Sequence, residues 1–131
     1  MLPKALALAG LLVLGWAVVA LAGSGDKVPV EIKYSRFEPD EIRLEAGEEV
    51  TFVIYNDDPI DHEFILGDRA VQDRHERGTE AHHGEIPTEV SVPAGETVET
   101  TVTFDEPGNM ILGCHLPGHY AYGMKARVTI S

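Results

Sequence analysis

A Greek-key β-sandwich, all-β apart from one polar insertion, is the fold the sequence predicts from residue 28 onward. Three observations predict it. Apolar and polar residues alternate in short runs, Gly, Pro, Asn and Asp separate those runs, and helical periodicity is scarce. With 131 residues the chain is long enough for one domain with its own core and too short for two.

Residues 1–22 carry one basic residue, Lys4, within an otherwise uncharged apolar run that ends in Ala20, Leu21 and Ala22 before Gly23. This layout predicts a signal peptide cleaved after Ala22 or, because the run approaches bilayer-spanning length, an N-terminal membrane anchor. Residues 23–27 read as a linker. Both alternatives place the domain, residues 28–131, outside the cytoplasm: periplasmic, secreted or membrane-anchored. No cysteine lies near residue 23, so lipid attachment at that point is excluded. The only tryptophan, Trp16, falls in this segment, so a cleaved domain is expected to fluoresce from tyrosine alone.

In residues 41–55, Ile42, Leu44, Val50, Phe52 and Ile54 share one parity around the turn Ala46-Gly47-Glu48, so they are predicted to face the core. Residues 90–104 repeat the device with Val90, Val92, Val98, Val102 and Phe104 around Pro93-Ala94-Gly95-Glu96. The two stretches predict equivalent, hairpin-like units. Further strands are expected over 28–37, 62–66, 109–114 and 125–130, roughly seven or eight in all, a usual count for a two-sheet sandwich. Residues 67–88 break the pattern because they are polar and too long for a hairpin loop. They are predicted to form an insertion with a short helix over 69–77, ended by Gly78.

The formal net charge of -12 argues against nucleic acid as a partner. Its distribution is uneven, because residues 107–131 contain no Asp or Glu, only Lys125 and Arg127.

Cys114 is the one cysteine of a chain with an export-like start, so it cannot form an internal disulfide. It is followed at equal spacings by His119 and Met124. Thiolate, imidazole and thioether together select copper: a His₂Cys set with a weak axial Met binds copper for electron transfer. Zinc favours a closed set without thioether, and haem attachment needs two cysteines. A second histidine must come from another strand. His62, at the head of the apolar run after the strand carrying Phe52 and Ile54, is the best placed.

At this point the chain resembles the cupredoxins, the blue (type 1) copper family of plastocyanin, azurin and auracyanin. The resemblance covers about residues 28–131. It rests on the AGE-V-T-F strand start followed by Asn56 and His62-Glu-Phe, on the second PAGET turn, and on the Cys-x4-His-x4-Met loop with Pro117-Gly118 before His119. It implies one type 1 copper site cycling between Cu(II) and Cu(I), held by His62, Cys114 and His119 with Met124 as weak axial ligand. It also implies that Asn56 ties the two ligand-bearing loops together and that the Asp61 carbonyl approaches the metal from the opposite side. His119 is expected near the surface among Pro117, Gly118, Tyr120, Ala121 and Tyr122. His115, next to Cys114, is expected to point away from the metal as a surface or second-layer residue.

Two functions remain open on these residues. The first is one-electron transfer by a monomer, through an apolar patch around His119, with a redox protein such as a c-type cytochrome or an oxidase. No enzyme is expected, because protein donors fill the site and leave no vacancy for substrate. A membrane is a partner only if the N-terminal segment is uncleaved. The second is periplasmic copper sequestration or tolerance: HEFILGD resembles a stretch that precedes a metal-ligand-rich insertion in exported copper-tolerance cupredoxins. Here the insertion carries His75, His82 and His83 with Glu76, Glu80 and Glu85, a candidate second metal site. It has no methionine, which favours Cu(II) over Cu(I), and its histidines can converge only if the chain folds back near Gly78.

Overall fold

The structure, a computed structural model, describes residues 19–22 and 25–131. The expected leader over 1–22 lies outside the described residues except for its last four, which form an edge strand, β1 (Val19–Ala22). The strands that follow are β2 (Lys27–Lys33), β3 (Arg36–Glu38), β4 (Glu41–Leu44), β5 (Glu49–Asn56) and β6 (His62–Gly67). Then come the helix α1 (Arg69–Arg77) and the strands β7 (Glu89–Val92), β8 (Thr97–Thr103), β9 (Gly108–Gly113) and β10 (Lys125–Ile130). The helix has the bounds the sequence predicts, with Asp68 as N-cap accepting the Val71 N–H at 3.0 Å.

Two sheets face each other, ordered β1-β4-β10-β9-β6-β7 and β3-β2-β5-β8. Between them lie the residues of shared parity: Ile42, Leu44, Val50, Phe52, Ile54, Val90, Val92 and Val102 are buried, while Val98 and Phe104 pack at the margin. Phe52 on β5 meets Phe64 on β6 across the sandwich with ring centroids 5.1 Å apart. Burying side chains of this size is worth about 1.5–3 kcal/mol each, which is what holds the sheets together.

The two AGE turns are equivalent, but they are not hairpins. Each carries the chain from one sheet to the other, β4 to β5 and β7 to β8, with Gly47 and Gly95 at φ 81 and 71 in the left-handed region that favours glycine. Because β5 and β8 then pair antiparallel, Glu49 opposite Thr103 and Tyr55 opposite Thr97, the two turns lie at opposite ends of the sandwich. Alternating sequence alone does not distinguish a hairpin from such a corner, since both need the same inward parity.

β6 is buried at every residue. Phe64 and Leu66 belong to the core, while Glu63 and Ile65, on the outer face, are also covered. The cover comes from the insertion. Gln72 on α1 donates from Nε2 to the carbonyls of Ile65 and Ile111 at 3.1 and 2.7 Å, clamping the helix over β6 and β9. The approach is close enough that a Cβ at Gly113 would stand 2.5 Å from Gln72 Oε1.

Candidate metal centre

β6 and β9 are antiparallel neighbours with Ile65 opposite Gly113, so the start of one strand and the end of the other bring His62 and Cys114 together. The chain after β9 turns back on itself. The His119 N–H donates to Leu116 O at 2.9 Å, Met124 N–H to His119 O at 3.0 Å, and Cys114 N–H to Met124 O at 3.2 Å. This closed loop returns His119 to the sulfur. His119 Nδ1 lies 3.4 Å and His62 Nδ1 3.9 Å from Cys114 Sγ, and the two imidazoles are 5.1 Å apart between centroids. Met124, predicted as the fourth donor, is fully buried and joined through its main chain to both Cys114 and His119.

The ring of His62 is fixed from behind. Its Nε2–H donates to Asp58 Oδ2 at 2.8 Å, and Asp58 is itself held by the N–H groups of Tyr34 and Ser35 at 2.7 and 2.8 Å. Burial alone would raise the Asp58 pKa, but these backbone donors and His62 outweigh it and hold the carboxyl below its ordinary value. Burial lowers the His62 pKa against the pull of Asp58. A neutral imidazole with its proton committed to Asp58 leaves Nδ1 free as a ligand atom on the side of the sulfur.

Cys114 is fully buried. Burial pushes its thiol up to about 11, with the Glu63 carboxylate adding to the rise and the N–H groups of Leu116 and Glu63 opposing it. A thiolate in this place requires a cation beside it. Two imidazoles, a thiol and a thioether form the donor set that copper prefers. The residues therefore fit that metal.

Glu63 was not singled out by sequence reasoning. Only 2 % exposed, it donates its N–H to Cys114 Sγ at 3.4 Å and accepts the His115 N–H at Oε1 at 3.0 Å. Asn56 was expected to join the two ligand loops. Instead it joins the His62 loop to the second corner turn, donating to the carbonyls of Ile60, Val92 and Pro93 at 2.9, 3.0 and 3.1 Å. Glu63 takes the role expected of Asn56. His115 is a buried second-layer residue and not a surface one: its Nδ1 meets Glu76 Oε2 and its Nε2 meets Gln72 Oε1, both at 2.7 Å.

In the insertion, the chain folds back after α1 ends at Gly78, and His75 and His83 meet with ring centroids 5.4 Å apart. Glu89 of β7 completes that cluster, another residue the sequence reading did not include. His82 does not join it; its side chain is exposed and lines a surface cleft with Glu80 and Glu85.

The sequence profile described as copper binding proteins, plastocyanin/azurin family, matches residues 25–131. The copper-resistant cuproprotein CopI of Rubrivivax gelatinosus is 35% identical over 99 residues, 72% of this chain and 59% of that protein. The chain thus spans about three fifths of the length of that relative. The protein of the same name in Pseudomonas aeruginosa is 29% identical over 126 residues, 72% of this chain and 70% of its own. Among solved structures, reduced auracyanin from Roseiflexus castenholzii superposes with a TM-score of 0.71 at 18% identity, covering 83% of this chain and 99% of that one. Auracyanin B gives 0.69 at 20% identity, covering 84% and 91%.

Proposed function

Because the chain belongs to the plastocyanin/azurin family of copper-binding proteins, we propose that it serves copper tolerance outside the cytoplasm. In this reading it holds one type 1 copper ion through His62, Cys114 and His119, with Met124 as weak fourth donor. The observation that carries the reading is the convergence of two imidazoles and one buried thiol with their ligand atoms within 4.8 Å of one another. Copper, when bound, supplies one-electron exchange between Cu(II) and Cu(I). The protein's residues do the rest. Asp58 fixes the tautomer of His62, the Glu63 N–H supports the charge on sulfur, and the closed 114–124 loop keeps His119 at the thiol and ties the Met124 main chain to Cys114 and His119. With protein donors filling the site, no position is left for a substrate, so the protein is a carrier and not an enzyme.

Tolerance is supported by the names of the two CopI relatives. Electron carriage to a redox protein, such as a c-type cytochrome or an oxidase, is the second reading. It is favoured by the partly exposed His119 beside Pro117, Ala121 and an 81 % exposed Tyr122, in a stretch free of carboxylates. Purified protein given Cu(II) is expected to develop an intense visible band at one copper per chain. Cys114→Ser is expected to abolish that band, and a band that persists in the variant would refute the assignment. A host lacking the gene is expected to become copper-sensitive and to be rescued by the wild type but not by Cys114→Ser. Unchanged copper sensitivity with slowed respiration would favour electron carriage instead.

A further inference from the structure

We infer that His75, His83 and Glu89 form a second copper(II) site, and that Glu63 links this site to the Cys114 thiolate. The inference deepens the copper-tolerance reading, but its ligands are separate from the type 1 set.

The first ground is the orientation of the two imidazoles. His75 commits Nδ1–H to the Val71 carbonyl at 2.9 Å, one turn back along α1, which leaves Nε2, 3.3 Å from Glu89 Oε2, as the ring atom open to a metal. His83 commits Nε2–H to Glu63 Oε2 at 2.9 Å, an oxygen that also accepts the Thr79 hydroxyl at 2.6 Å. Its Nδ1 is then left 3.9 Å from Glu89 Oε2 and 3.8 Å from Glu80 Oε2. Ligand atoms around a metal with bonds of about 2.0–2.2 Å stand about 3–3.5 Å apart, so these spacings close onto an ion with small movements. A histidine held through its far nitrogen by a carbonyl or a carboxylate is the support that metal-binding imidazoles use.

The second ground is the scaffold. His83 is pinned to β7 by two bonds with Ser91: its N–H donates to Ser91 Oγ at 2.7 Å and its carbonyl accepts the Ser91 N–H at 3.3 Å. Glu89 stands on the same strand, and its other oxygen, Oε1, takes the Arg74 guanidinium at 2.8 Å. Both histidines are buried, and a cleft lined in part by His82, His83, Glu85 and Glu89 connects the cluster to solvent. Among the described residues, the carboxylates of Glu63, Glu80 and Glu89 face the imidazoles and the Arg74 guanidinium pairs with Glu89, so the balance favours an added cation.

The donors choose the ion. Imidazole and carboxylate without thiolate or thioether suit a divalent ion of borderline softness, and copper(II) stands highest among those in intrinsic affinity. The link to the first site is Glu63. One carboxylate oxygen holds His83, the other holds the N–H of His115, and its own N–H reaches Cys114 Sγ. An ion at His83 draws charge from Glu63 and changes the field at the sulfur.

Titration of the purified wild-type protein with Cu(II), followed by visible absorption and EPR, tests this. The first equivalent is expected to produce the visible band. The second is expected to add a nitrogen-coupled EPR signal with no new intense band and to shift the existing band. His75→Ala together with His83→Ala is expected to remove the second equivalent and leave the first. Glu89→Gln, which keeps the side-chain shape, is expected to weaken the second about tenfold or more. Saturation at one equivalent, or a second equivalent that survives both changes, overturns the site. A second equivalent that leaves the visible band where it was overturns the link through Glu63. If no visible band forms at all, the type 1 reading fails while the second EPR signal still decides this one.

Discussion

His62 and His75 are each held through one ring nitrogen, by Asp58 in the first case and by the Val71 carbonyl in the second, so that the other nitrogen is left for a metal. Their companions differ. His62 meets a fully buried thiol and lies at the start of a strand paired on both sides; His75 meets a carboxylate and rides on a helix that packs over the sheet. The first cluster gathers soft donors that support both copper oxidation states, the second only donors that favour Cu(II). Orienting an imidazole is therefore the common step, and the residues that accompany it decide the chemistry. The supports also differ: sheet ladders and the closed 114–124 loop fix the first, while the second depends on how firmly the insertion is clamped.

That dependence gives the largest expected effect. Gln72→Ala removes the amide that satisfies Ile65 O and Ile111 O and the oxygen that meets His115. Leaving such groups unpartnered costs on the order of 3 kcal/mol, which should lower Tm by roughly 10 °C. The visible copper band should survive while the His75–His83 cluster is lost. Loss of both together in a melt or titration would mean that the first site also rests on the helix.

Asp58→Ala is the converse. Releasing the far nitrogen of His62 should weaken copper at the first site about 10- to 100-fold, as loss of such an outer partner does elsewhere, without changing the second. Competition with a chelator measures this, and equal affinities for variant and parent would remove Asp58 from the site. Met124→Leu should keep the copper and its colour while raising the reduction potential, because a weak donor that favours Cu(II) is lost. A potential unchanged by voltammetry would reduce Met124 to packing. The smallest effect on the site is expected from Ala121→Asp, which places a charge on the exposed rim beside His119. Spectra should match the parent while electron exchange with a redox partner slows, and equal rates would move the port elsewhere.

The sequence carried the strands well where parity was strict, as at Ile42, Leu44, Phe52 and Ile54, because one covered face imposes a period of two. It carried the helix, whose end Gly78 marks, while the cap at Asp68 emerged only in the structure. His62, Cys114 and His119 were legible because few residue types can do their chemistry and their order along the chain is informative. Asp58 and Glu63 were not. Asp57, Asp58 and Asp61 share one loop, and nothing in their spacing tells which of them turns inward to the ring of His62. Glu63 looks like an ordinary outward-facing strand acid until the insertion is seen to cover it. Glu89 was missed for the same reason: it belongs to a strand, and its neighbours in space come from the other side of the insertion. The turns at Gly47 and Gly95 look hairpin-like in the sequence because parity does not record which sheet receives the next strand.

The full burial of β6 has a kinetic consequence. The strand pairs with β7 over His62–Ile65 and with β9 over Ile65–Gly67, with the core beneath and the insertion above. Its amide hydrogens should exchange with deuterated solvent only when the whole domain opens, whereas those of the 114–124 loop can exchange through local opening. His62 is rooted in the slow part and His119 in the faster one, so a metal held between them is expected to leave by the opening of one wall while the other stays in place.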